Sequence, residues 1–204
     1  MHLAVFGGSG HTGRWLLDQA LQHGDTVTAL ARDPSRLVVH ERLRPVAGDV
    51  RDTDLVEKVV AGSDAVLSAL GQRKWGTTVC TDGARAILPA MDTHGVRRLI
   101  AVSGYGVADS RHRRNLYVAV NRVLIRSLMR DKEGMEELIR ASGTAWTIVR
   151  PAVLTDGPRT GHHRSGTGLR LTFASKISYA DLADFMLAQL TQDDLVHRAV
   201  AVTA

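Results

Sequence analysis

A single cysteine, Cys80, leaves the chain no internal disulfide to form, which excludes the stapled scaffolds of small secreted proteins. Aromatic residues make up only 4% of its 204 positions, so a core must rest on Val, Leu, Ile and Ala. No apolar run approaches the roughly 20 residues that a membrane-spanning helix needs. The opening "MHLAVFGG" lacks the charged n-region of a secretory signal and breaks into glycines too early for one. These absences lead us to expect a cytoplasmic protein with no membrane partner. A metal site is not expected either: His162 and His163 in "TGHHRSG" have no third ligand at usable spacing, and a flexible loop defines geometry poorly.

What is present is ordinary in amount, with 44% hydrophobic and 23% charged residues. The length fits one domain, 1–204, large enough to bury a full core. Net charge is +5, and the excess gathers in "SRHRRNLYVAVNRVLIRSLMRDK". Leu116, Val120, Val123, Leu124 and Leu128 recur there at helical spacing, which assigns the arginines to a solvated opposite face. No nucleic-acid motif accompanies the charge, so no nucleic-acid partner is expected. Basic charge also suits a polyanionic cofactor.

Short β-branched runs alternate with longer helical patterns. Strands are read in "HLAVFG", "DTVTALAR", "LRPVAGD", "SDAVLSAL", "RRLIAVS" and "TAWTIVRP", and helices over 12–23, 53–61, 77–94, 115–141 and 179–190. Near-continuously apolar strands between helices predict a doubly wound, mainly parallel sheet covered on both faces, a Rossmann-like α/β domain. The glycine-rich stretch 155–170 is read as a substrate-side loop.

Directly after the first strand, "FGGSGHTGR" sets Gly7, Gly10 and Gly13 at GxxGxxG spacing, with Gly8, Ser9, His11 and Thr12 between them. Glycines permit a tight turn and close backbone approach, and the following helix start offers free N–H groups to a pyrophosphate. The second strand ends in "ALARDPSRL". Arg32 and Arg36, with Ser35, suit a ribose 2′-phosphate, whereas an acid such as Asp33 would suit an unphosphorylated ribose. Pro34 marks Asp33 as a turn residue, so NADPH is the expected cofactor. Asp49 and Val50 are placed beside the adenine, and Leu70 and Gly71 along the cofactor path.

These segments, together with "VAGSDAVLSALG", "RASGTAWTIVRP", "DGPRTG" and "ISYADLADFML", resemble the atypical short-chain dehydrogenase/reductase family of NAD(P)H-binding, NmrA-like proteins. The similarity is greatest to the flavin reductase/biliverdin-IXβ reductase branch. The resemblance covers roughly residues 3–190. It implies hydride transfer from NADPH to a planar small-molecule acceptor of flavin, quinone or linear tetrapyrrole type, by a monomer or weak homodimer. It also places Ser103 of "LIAVSGYGVADS" beside the nicotinamide, and Arg150 and Pro151 where the backbone closes over it. Near Val153 the branch often has a histidine, and this chain does not.

Ordinary members of the superfamily use a Tyr-x-x-x-Lys pair as acid and ribose holder. Here the lysine position falls on Lys132 and the tyrosine position on Leu128, so the pair is broken. For Lys132 a ribose contact and a plain exposed helix lysine both stay open. Tyr105, between two glycines, is either a loop proton donor or a mobile lid residue. The alternative to a reductase is a non-catalytic NADP(H)-binding regulator of the NmrA-like kind; an epimerase or dehydratase, which normally needs the tyrosine, ranks lower.

Overall fold

The computed structural model describes residues 1–72, 76–112 and 125–204. Its elements follow the alternation read in the chain: β1 (His2–Phe6), α1 (His11–Gln22), β2 (Thr26–Ala31), β3 (Leu43–Ala47), α2 (Thr53–Val60), β4 (Ala65–Ser68), α3 (Val79–Thr93) and β5 (Arg98–Val102). After them come α4 (Arg126–Ala141), β6 (Ala145–Pro151), the short β7 (Val153–Thr155), β8 (Arg164–Gly166) and β9 (Lys176–Ser178), then α5 (Tyr179–Ala188) and β10 (Arg198–Thr203).

Eight strands form one sheet in the order β3-β2-β1-β4-β5-β6-β10-β8. All neighbours run parallel apart from β8, which is antiparallel to β10. A fully parallel run of strands must be covered on both faces, which explains why β1 and β4 are apolar almost throughout. On one face α1 and α5 bring Leu16, Leu17, Leu182 and Phe185 into a core with Val5 and Ile100. On the other, α2, α3 and α4 contribute Val56, Ile87, Met91, Met135 and Ile139 against Phe6 and Leu99. The result is a single Rossmann-like α/β domain.

The helix read over 115–141 is described only from Arg126, so Leu116, Val120, Val123 and Leu124 lie outside the described residues. Arg126 and Arg130 at the start of α4 are exposed, as read, while Asp131, Lys132 and Glu136 beside them are buried, each with a polar partner. Strands β7 to β10 were not anticipated, the first three because three residues carry too little alternation to register.

Sheet order reverses at β1, which has β2 on one side and β4 on the other. In open α/β sheets the crevice at the carboxyl ends of such a pair is where ligands bind.

Candidate functional site

The chain leaving β1 enters that crevice through Gly7, whose φ of +83° belongs to the left-handed region. A side chain at Gly7 would also come within 2.6 Å of the Ala69 carbonyl oxygen at the end of β4. Gly13, inside α1, packs so closely on the loop that a Cβ would overlap the Gly7 carbonyl. The loop is closed by the Gly10 N–H donating to Gly7 O at 3.0 Å. α1 starts with no capping side chain and no acidic residue in its first turn, unlike α2 and α5, which Asp52 and Ser178 cap. Its first N–H groups and positive dipole end therefore suit an anion.

A cleft of about 710 Å³ runs across these strand ends. At one end it is lined by Arg32, Arg36, Gly48, Asp49 and Val50. The middle is formed by Gly7, Ser9, Gly10, His11 and Thr12. Leu70, Gly71, Gln72, Val79 and Leu128 line the far end, and Leu154 and Tyr179 complete the wall. The structure thus brings together most of the loop, arginine and strand-end residues picked out from the sequence. It leaves Gly8, Gly13 and Ser35 off the lining. Ser35 is committed elsewhere, donating its hydroxyl to Asp33 at 2.6 Å, while the Asp33 carboxylate also accepts the Ser35 N–H and so caps the turn Pro34–Arg36.

Behind the Leu70 end lies a buried polar layer. Lys132 is 5% exposed, so the exposed-lysine reading is corrected. Its ammonium donates to Leu70 O at 2.7 Å and Val102 O at 2.6 Å, bracing the ends of β4 and β5 from behind the cleft wall. Asp131 accepts the Cys80 and Thr81 N–H groups at 3.0 and 2.9 Å, capping α3 from a neighbouring helix. Gln72 donates to Thr77 O and to Asp131. Burial, with Asp131 nearby and Lys132 opposing, pushes the Cys80 thiol up to about 11, so it is not a nucleophile at neutral pH.

Ser103 and Arg150 belong to a second buried network, and neither lines the cleft. The Ser103 hydroxyl donates to Glu136 Oε1 at 2.6 Å. Arg150 donates to both Glu136 oxygens, at 3.0 and 2.6 Å, and to Asp109 at 2.8 and 3.2 Å. Burial alone would lower the Arg150 pKa; the bonds to the two carboxylates outweigh it and raise the pKa instead. Pro151, the last residue of β6, is likewise off the cleft lining.

Tyr105 is corrected from a mobile lid residue to a core residue. It is 4% exposed, packed with the core on the α1 and α5 side, and its hydroxyl donates to Leu169 O at 3.4 Å. The flanking glycines let the chain turn around a buried ring. Part of the loop 155–170 is also fixed. Asp181 accepts the N–H groups of Thr160 and Gly161 at 2.7 and 2.9 Å, and the hydroxyls of Thr160 and Ser178. Arg159 pairs with Asp184 at 2.8 Å, and His163 sets its ring edge-on to Phe185 at 5.0 Å. The sequence reading missed Gln72, Val79, Leu154 and Tyr179 as lining residues. They come from four separate segments that only the tertiary fold brings together, so no local pattern announces them.

Residues 7–193 match the NAD(P)H-binding family. The chain belongs to it. Among curated relatives it is 26% identical over 203 residues to the uncharacterized protein YwnB of Bacillus subtilis, covering 97% of this chain and 93% of that one. It is 25% identical to the oxidoreductase AgnL4 of Paecilomyces divaricatus, covering 94% of this chain and 80% of that one. Solved structures with the same fold include ChuY, an anaerobillin reductase from Escherichia coli. Its TM-score is 0.85 at 19% identity, covering 100% of this chain and 97% of that one. A short-chain dehydrogenase/reductase from Veillonella parvula in complex with NADP has a TM-score of 0.80 at 16% identity, over 100% and 94% of the two chains. The domain is thus an NAD(P)H-binding Rossmann fold of the oxidoreductase type, and among the described residues no helix is long and apolar enough to cross a membrane.

Proposed function

We propose that the protein is an NADPH-dependent reductase that delivers hydride to a planar acceptor such as a flavin, a quinone or a linear tetrapyrrole. The observation that carries this reading is the contrast between the two ends of the cleft. One end presents Arg32 and Arg36, and the one carboxylate among the described lining residues, Asp49, accepts the Arg51 N–H at 3.0 Å. The other is walled by Leu70, Val79, Leu128 and Leu154. Leucine thus stands on the cleft wall at the position where ordinary members of the superfamily present an acidic tyrosine.

The groups present fit the dinucleotide. The first turn of α1 and the glycine loop receive the pyrophosphate, the arginines the 2′-phosphate, and the apolar end the nicotinamide ring. When bound, the cofactor supplies the hydride. The chain's own part is to hold the ring against Leu70 and Leu128, to exclude water with apolar walls, and to keep the wall in place through Lys132. With Leu128 offering no proton, ketone reduction loses its acid, whereas an electron-poor acceptor takes hydride and is protonated from solvent. Lys132 acts from behind the wall, and the loop 155–170 forms the acceptor's side of the site.

The test is loss of reduced-nicotinamide absorbance with flavin mononucleotide, riboflavin, quinones and dyes as acceptors. Turnover with NADPH on at least one planar acceptor is the expected result. Tight NADPH binding with no turnover across the panel would instead establish a non-catalytic regulator, the reading favoured by the burial of both Ser103 and Tyr105.

A further inference from the structure

Beyond the arginines and the glycine loop, one side chain on the cleft wall has no role in the account above. Tyr179, the first residue of α5, lines the cleft and stacks on His11, the first residue of α1, with ring centroids 4.9 Å apart and planes 27° from parallel. We propose that Tyr179 is a cofactor-binding residue whose phenol, held by the His11 stack, donates to the nicotinamide-side phosphate of the dinucleotide. The proposal rests on the nucleotide reading of the cleft.

Three observations carry it. The ring pair joins the two helix starts that meet at the middle of the cleft, where the glycine loop leaves an uncapped α1. The platform is rigid: buried Gln19 of α1 donates to Ala180 O at 2.9 Å, and Ser178 and Asp181 cap the same turn of α5. Among the described residues no protein group bonds the Tyr179 hydroxyl, although the ring is half-buried. A phenol O–H fixed beside an anion site is a good donor to a phosphate or sugar oxygen. The arginines follow β2, whereas Tyr179 follows β9, the partner of the strand β7 that carries Leu154 of the apolar wall, so the two grips address different halves of the ligand.

That separation supplies the experiment. Adenosine 2′,5′-bisphosphate contains the half read by Arg32 and Arg36 but lacks the nicotinamide ribose and the phosphate attached to it. Affinities for it and for NADP⁺ are measured by calorimetry on the full chain and on Tyr179→Phe, which keeps the ring stack and removes only the hydroxyl. Loss of one hydrogen bond to a charged group is expected to weaken NADP⁺ about tenfold, while the bisphosphate binds Tyr179→Phe as it binds the unmodified chain. His11→Ala, which removes the stack, should show the same pattern. Unchanged NADP⁺ affinity in Tyr179→Phe, or equal losses for both ligands, overturns the proposal. If the unmodified chain binds neither ligand, the nucleotide reading itself fails and takes the proposal with it, a result distinct from the other two.

Discussion

Arg32 and Ser103 were both picked out by residue type and position at a strand end, and the structure treats them differently. Arg32 stands exposed on the cleft, and among the described residues no acid pairs with it, Asp33 being spent on capping its own turn. Arg32→Ala should weaken NADPH about tenfold or more, the 1.5–3 kcal/mol of a charge-assisted bond, and leave NADH unaffected. Equal affinities for the two cofactors in the unmodified chain would refute that assignment. Ser103 is 5% exposed and its hydroxyl donates a hydrogen bond to Glu136, itself fully buried. We therefore expect Ser103→Ala to cost about 1.5–3 kcal/mol of stability, the range for a hydrogen bond to a charged group, measured by urea unfolding, with little change in hydride transfer. A rate falling about ten- to a hundredfold at unchanged stability would return the hydroxyl to the reaction centre. What type and position could not convey is the partner. Glu136 lies on a helix remote in sequence, and only the fold turns the serine toward it.

At the scale of elements, legibility tracks how local the cause is. The loop after β1 was readable because its glycines answer a local need: a left-handed turn at Gly7 and close packing at Gly13. Gly13→Ala should disrupt both, since the new methyl meets backbone, and overpacking of this kind costs about 1–3 kcal/mol; a lowered unfolding midpoint together with weakened NADPH binding is the expected result. α4 was misread in part because burial of Asp131, Lys132 and Glu136 depends on acceptors and donors in other elements. The loop 155–170 looked loose because its anchor, Asp181, sits in the following helix. Burial alone would raise the Asp181 pKa, but the Thr160 and Gly161 N–H groups and two hydroxyls outweigh it and hold the carboxyl below the usual aspartate range. A depressed folded pKa means the anchor contributes stability above the ordinary value of about 3.9 and loses it as pH falls through the folded value. Cleavage at Arg159 and Arg164 by a trypsin-like protease should therefore be slow at neutral pH in the unmodified chain and fast in Asp181→Ala. Equal cleavage rates would show that the loop is held by something else.

For the molecule as a whole, the fold class followed from alternation and the phosphate end from the glycine loop, whereas the reversal of strand order that opens the crevice is visible only in the sheet. The far wall did not, being assembled from residues between Gln72 and Tyr179. Because the cleft exists only in the folded state, its ligand should stabilise the entire domain. NADP⁺ at about a hundredfold excess over its dissociation constant should add ~2.7 kcal/mol. At roughly 2–4 °C per kcal/mol for a chain of this size, the thermal midpoint should rise by several degrees, and Arg32→Ala should lose much of that rise at the same concentration.

The strand order also sets a timetable. β1 emerges first yet lies inside the sheet, so β2 and then β4 can add to its two sides as the ribosome releases them. The opposite flank works in reverse. β6 and β8 are both made before β10, the strand that must slot between them. At about 5–20 residues per second, on the order of 2–10 s separates Pro151 from Arg198. Throughout that interval the apolar "AWTIV" of β6 presents an unpaired edge to its surroundings. The nascent chain thus exposes this edge to self-association until β10 arrives.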